Sequence, residues 1–317
     1  MATKLTNYPR GFASGFSARN LPLFETFAGN VFWVSSTRGA DTGKGTRDKP
    51  FATIAYVVAS ANNKVVANNG DVVMAMPGHA ETISAAAGIA MNVAGVSVIG
   101  VGTGTSRPTI TWSTSTAATW AITAADAYLE NLVCVGNISN VVAGITTTKK
   151  GTWLNNVEFQ NAGTNLDFLT PIKALGTTTA DNDDLRVENC RWVTIDADDL
   201  EFIEINGTLS RFVCNNNFVY NAGTASPHIL VATGKLLLQA DIGWNRHFNL
   251  MTANELFISN DGTTNTGIIH NNYIGHADVT GTHDAGWDAG GFRLFNNLSV
   301  SVDNLSGFVL PAIDVNL

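Results

Sequence analysis

Val213-Cys214-Asn215-Asn216-Asn217-Phe218 is the stretch from which the fold can be read: an aliphatic residue, one variable residue, Asn, two variable residues and a large apolar one. The same order returns as Leu154-Asn155-Asn156 with Phe159, Val187-Glu188-Asn189 with Trp192, and Ile269-His270-Asn271 with Ile274. Leu129-Glu130-Asn131 and Leu294-Phe295-Asn296 repeat its first half, and Gly243-Trp244-Asn245 with Phe248 is a weaker copy without the leading aliphatic residue. The marked positions are Asn131, Asn156, Asn189, Asn215, Asn245, Asn271 and Asn296, so the steps are 25, 33, 26, 30, 26 and 25 residues. A shortest step near 25, lengthened irregularly, is what a coil with variable loops on one side produces.

Asn is one of the few residues besides Gly that tolerates the left-handed backbone of a sharp turn. Asparagines stacked at one corner can also hydrogen-bond from coil to coil. The apolar residues on either side then point inward. No coil buries its own apolar side, so coils stacked about 4.8 Å apart share a continuous core. The expected fold is all-β, a right-handed parallel β-helix (a single-chain solenoid), with the seven asparagines as a structural turn ladder.

Upstream the pattern continues without Asn. Gly70-Asp71-Val72-Val73-Met74-Ala75-Met76-Pro77-Gly78 reads as a strand ending in a turn, and Val96–Gly102 and Arg107–Trp112 as the strands that follow. In the segment 50–61, Ile54, Val57, Val58 and Ala61 have helical spacing, which predicts an amphipathic helix near 50–62 that plugs the open end of the tube. The predicted domains are therefore a β-helix over 46–317 and an N-terminal arm over 1–45. In the arm Pro9, Gly11 and Gly15 break regular structure, while Arg10, Phe12, Phe16, Arg19, Leu21 and Phe24 offer docking contacts.

Composition agrees with an all-β chain rich in turns: 14% of residues are charged and 45% apolar. Residues 1–50 hold seven basic and three acidic groups, which leaves −12 for the remainder of a chain of formal charge −8. A basic front on an acidic body suggests that the front docks on something acidic, and the acidic body argues against nucleic acid as the main ligand. Cys134, Cys190 and Cys214 are odd in number and set in apolar runs, consistent with buried thiols. No signal peptide is read in the first twenty residues and no stretch approaches the roughly 18 apolar residues of a membrane span. The expectation is a protein made and kept in the cytoplasm until something else carries it out.

Lys49-Pro50-Phe51-Ala52-Thr53-Ile54, then Gly70-Asp71-Val72-Val73 with Pro77-Gly78, then Gly95-Val96-Ser97-Val98-Ile99-Gly100, resembles the opening of pectin-lyase-like β-helices. The resemblance covers about residues 45–310. The chain as a whole, including residues 7–12 and the ending Phe308-Val309-Leu310-Pro311-Ala312, is similar to structural proteins of bacteriophage virions. That resemblance implies a non-enzymatic virion protein: a homotrimeric capsid decoration (cement) protein, docked on the major capsid protein by its arm. Its alternative is a tail fibre or tailspike that binds a host surface glycan, with depolymerase activity as a minority reading.

A glycosidase needs two carboxylates about 5–10 Å apart. The densest acidic runs, Asp181-Asn182-Asp183-Asp184 and Asp196-Ala197-Asp198-Asp199-Leu200-Glu201, fall between repeat strands and read as solvated turns. His270, His276 and His283 with Asp278, Asp284 and Asp288 lack metal-binding helical spacing. Gly100-Val101-Gly102-Thr103-Gly104 precedes a strand, which argues against a phosphate loop. Trp244 and Trp287 could stack on sugars, whereas Trp192 sits at the motif's inward position. No catalytic residue, metal or cofactor is implied.

Overall fold

The computed structural model describes residues 29–309 apart from 177–180, 195, 223–226, 250–256, 261–263, 277–289 and 302–303. The chain winds as a parallel β-solenoid. Three sheets run its length, of ten, ten and seven strands among the described residues. The first sheet begins with Val31–Val34 and Val72–Ala75 and ends with Gly267–His270 and Arg293–Phe295. The second starts at Ala80–Ile83 and the third at Ile89–Met91. Strand pairs are parallel throughout, except that Asn304–Val309 folds back antiparallel on Leu298–Ser301.

Register explains why this sequence coils. In the first sheet Val98, Leu129, Leu154, Val187, Cys214, Ile242, Ile269 and Leu294 stand directly over one another. All are buried. The third sheet repeats the arrangement with Ile145, Ile172, Ile203, Ile229 and Ile258. β-branched residues suit a pleated, enclosed surface, and each row buries a side chain that one coil alone would leave half wet. In the second sheet the row is Cys134, Phe159, Trp192, Val219, His247 and Ile274. Trp192 is fully buried there, as its motif position requires.

Between the first and second sheets each of these coils turns through one left-handed residue: Asn131, Asn156, Asn189, Asn216, Trp244, Asn271 and Asn296, with φ between 52° and 59°. Five expected positions hold, and Asn215 and Asn245 are corrected. The inward residue Cys214 sits opposite Val187 and Ile242, so Val213 faces outward and the corner slides from Asn215 to Asn216. In the next coil Ile242 points inward, which places the corner on Trp244, one residue before Asn245.

Asn245 instead belongs to a second, interior ladder with Asn217, Asn272 and Asn297, none more than 1% exposed. The side-chain oxygens of Asn245, Asn272 and Asn297 each accept the backbone N–H of the Asn one coil earlier, at 2.9 to 3.0 Å, and that of Asn217 accepts the Cys190 N–H at 2.8 Å. The Asn245 amide donates to the Cys214 carbonyl at 2.7 Å and to Asn272 Oδ1 at 3.0 Å. Burying these amides is tolerable because their donors and acceptors are matched from coil to coil.

At the N-terminal end the coil starts earlier than residue 46. Val31–Val34 lies inside the stretch expected to be an arm and pairs with Val72–Ala75. Asp71 secures it by accepting the Asn30 and Val66 backbone N–H groups at 2.7 and 2.6 Å. Arg10, Phe12, Phe16, Arg19, Leu21 and Phe24 lie outside the described residues. The expected capping helix is short: Ile54–Val58, then a 3-10 turn over Ser60–Asn62. Glu81 accepts the helix's first N–H groups, from Ile54 at 2.6 Å and Ala55 at 3.0 Å, where the helix dipole favours an anion. Ile54, Val57 and Val58 are buried in the main core.

Candidate functional site

Strand residues that flank the inward row face outward. On the first sheet this produces two parallel outer rows. One carries Tyr128, Trp153, Arg186, Val213, Asp241 and Ile268; the other carries Glu130, Asn155, Glu188, Asn215, Gly243 and His270. The rows are polar and aromatic in the middle of the solenoid, unlike the apolar patch of Val72, Met74 and Ile99 near its start.

The central three rungs form a connected group. The Tyr128 and Trp153 rings lie 4.9 Å apart at 54°, and the Arg186 guanidinium sits 5.6 Å from the Trp153 ring centre. The Asn155 amide donates to the Tyr128 hydroxyl at 3.0 Å, and the Glu130 carboxylate lies near enough to act on that hydroxyl electrostatically. Burial, reinforced by the Glu130 and Glu188 carboxylates, pushes the Tyr128 pKa up to about 12, so it remains a donor at any physiological pH. Glu130 and Glu188 flank Asn155 in register. Two rung spacings place their backbones about 10 Å apart, with side chains long enough to narrow that gap.

Beside Glu130 opens a groove of about 920 Å³, lined by Trp33, Arg47, Pro77, Gly100–Gly104, Arg107 and Asn131. The glycine-rich run is one of its walls, not a phosphate loop. Gly100 is required there, because a Cβ would fall 2.1 Å from the Asn131 carbonyl oxygen. Asn131 holds that wall by donating to the Gly100 and Gly102 carbonyls at 2.8 and 3.0 Å. The Arg107 guanidinium is a structural tie, bonded at 2.8 Å to Glu158 and to the Leu132 and Asn156 carbonyls. Arg47 stands 5.8 Å over the Trp33 ring.

Further along the face His270 Nε2 lies 2.7 Å from Asp241 Oδ1. The Asn271 amide donates to His270 Nδ1 at 2.9 Å, so the Nε2 proton points at Asp241. The ring packs flat on Gly243, where any Cβ would meet it at 2.4 Å. Trp244, beside it, is 60% exposed.

The acidic runs form turns, with Asp184 half exposed and Asp198 exposed, but they are not solvated throughout. Asp183, Asp196, Asp199 and Glu201 are buried at corners between sheets, away from the outer face of the first sheet. Asp183 accepts the Ser210 N–H at 2.6 Å, and Arg211 holds the Asp184 carboxyl below the usual range through bonds at 2.6 and 2.8 Å. Asp196 accepts the Asn165 N–H at 2.6 Å, and Glu201 accepts the Thr170 hydroxyl at 2.6 Å. These carboxylates tie coils together. Their burial was illegible because a run of Asp reads as a turn whether or not a neighbouring coil covers it. The side chain of His276, together with His283, Asp278, Asp284, Asp288 and Trp287, lies outside the described residues. Among the described residues no cluster of three or more His, Cys, Asp or Glu is disposed to hold a metal ion.

No family model matches the chain. No curated protein matches it. It is similar to two crystal structures of the GH136 lacto-N-biosidase from Eubacterium ramulus, the selenomethionine derivative and the native protein. Identity is 11% in both, with TM-scores of 0.35 and 0.37; 84% and 86% of this chain and 66% and 67% of those chains are covered. The chain thus spans about two thirds of the length of these neighbours. The neighbours are named as glycoside hydrolases, and the expected non-enzymatic virion protein docked on a capsid finds no counterpart in any of these comparisons. At this identity the likeness concerns the solenoid alone.

Proposed function

We propose that this chain is a carbohydrate-active solenoid that binds an oligosaccharide on the outer face of its first sheet and hydrolyses it between Glu130 and Glu188. The observation that carries this reading is the Tyr128–Trp153 ring pair set in register beside Glu130, Asn155 and Glu188. Aromatic faces bind the C–H faces of pyranose rings, and amides and carboxylates bind their hydroxyls. A carboxylate separation of roughly 6.5–9.5 Å leaves room for a water on the far side of the sugar, the arrangement of an inverting hydrolase. Glu130, on the same strand as Tyr128, is assigned to activating that water; Glu188, two rungs along the same row, is assigned to protonating the leaving oxygen.

The test is a panel of defined oligosaccharides (cello-, xylo-, manno- and N-acetylchito- series), with binding and product release measured separately. Glu130→Gln and Glu188→Gln should each lower turnover by about a hundredfold or more while affinity changes little. Trp153→Ala should lose affinity. Wild-type turnover in both Gln variants would remove the carboxylate assignment, and unchanged affinity in the Trp153 variant would remove the saccharide face.

A further inference from the structure

Trp244 breaks two rules at once. Among the described coils from 131 to 296 the left-handed corner is otherwise Asn, and here it is a bulky aromatic at φ 59°. It is the same corner: the Trp244 N–H bonds the His270 carbonyl as the Asn216 N–H bonds that of Gly243 and the Asn271 N–H that of Phe295. Asn216 donates to Asn189, and Asn296 bonds Asn271, so the amide ladder exists on both sides and lapses at this rung. The indole is nevertheless 60% exposed. A left-handed aromatic costs backbone strain, and its exposure returns no burial. A residue unfavourable on both counts is accounted for by what it contacts outside the chain.

Its surroundings give that contact a chemistry. The oriented His270–Asp241 pair and the Asn215 amide lie on the adjoining outer rows, and Ile268 and Phe295 nearby are 46% and 61% exposed. Aromatic surface beside directed polar groups suits a pyranose ring better than a flat apolar partner. The strand before Trp244 lies three rungs from Trp153, about 14 Å along the axis, on the same face. We propose that Trp244 is a remote subsite, and that the ligand is an extended glycan lying along the solenoid axis from the Tyr128–Trp153 pair to Trp244. This rests on the saccharide reading of the face and adds a minimum length to it.

The test is Trp244→Asn, a substitution that restores the residue preferred at this corner, measured with two- to six-residue members of the same oligosaccharide panel. Six-residue ligands should bind about tenfold more weakly and two-residue ligands within about twofold of wild type, with Trp244→Phe keeping most of the long-ligand affinity. The urea midpoint of the Asn variant should be equal to or above that of wild type. Equal affinity for long ligands, or the same loss for short and long, overturns the remote subsite while leaving the central site standing. If sedimentation shows that Trp244→Asn changes self-association and not glycan affinity, Trp244 is an interface between copies and the proposal fails. Absence of binding to every panel member by the wild type overturns both the subsite and the saccharide reading.

Discussion

Asn156 and Asn245 carry the same motif label in the sequence but do different work. The Asn156 amide lies on the exposed corner and donates to Asn131 at 3.1 Å, where water can replace the bond. Asn245 is fully buried and serves the Asn217 backbone, the Cys214 carbonyl and Asn272 together. Asn245→Ala strands several buried polar groups and should cost about 2–4 kcal/mol, against about 1 kcal/mol for Asn156→Ala, which loses an exposed bond and the tolerance of Asn for the left-handed corner. Urea denaturation of the two variants measures the difference, and equal losses would refute the interior ladder. The sequence marks both residues because Asn is favoured by the left-handed turn and by the buried ladder alike. Only the register separates those roles.

The corner loops set the molecule's response to pH. Burial pushes Asp199 up to about 8 and Glu201 to about 7, and raises Asp167, whose carboxyl is close enough to Asp199 for each to act on the other. An acid whose folded pKa is raised binds more protons folded than unfolded, so its stabilising effect is whole below about pH 4 and fades as pH rises towards its folded value. In the core, burial drives His247 down to about 3 and lowers His228 as well. A histidine lowered in this way gives stability that is present above about pH 6.5 and is lost as pH falls. Above pH 6.5 the acids lead, joined towards pH 8.5 by the buried thiols Cys134, Cys190 and Cys214, whose raised pKa values act in the same direction; the urea midpoint should therefore fall between pH 6.5 and 8.5, and Asp199→Asn should flatten that fall. An unchanged slope in the variant would place the titration elsewhere. Asp reads as a turn former in sequence, and the second coil that desolvates it is about 30 residues away, beyond the reach of local pattern.

At the scale of the whole molecule the first strand protects the edge of a long sheet. A chain starting at residue 46 lacks Val31–Val34 and leaves Val72–Ala75 with unpaired backbone groups beside apolar side chains. Such a protein should aggregate or lose several degrees in melting temperature, read by light scattering and thermal denaturation. A monodisperse product of wild-type stability would show that the solenoid begins later than the pairing indicates.

The coil, its apolar rows and five of its seven Asn corners follow from the sequence by itself, because a repeat of about 25 residues imposes the same local choice, Asn for a left-handed turn and aliphatics for the interior, again and again. The central group was not legible: Tyr128, Glu130, Trp153 and Glu188 lie in separate repeats and share no motif beyond the one that builds the coil. Trp244 could be singled out as an aromatic able to stack on sugar, but nothing local shows that it stands where other coils place Asn. Tertiary structure alone decided these matters, since stacking converts a spacing of 25 to 33 residues along the chain into one rung of about 5 Å in space.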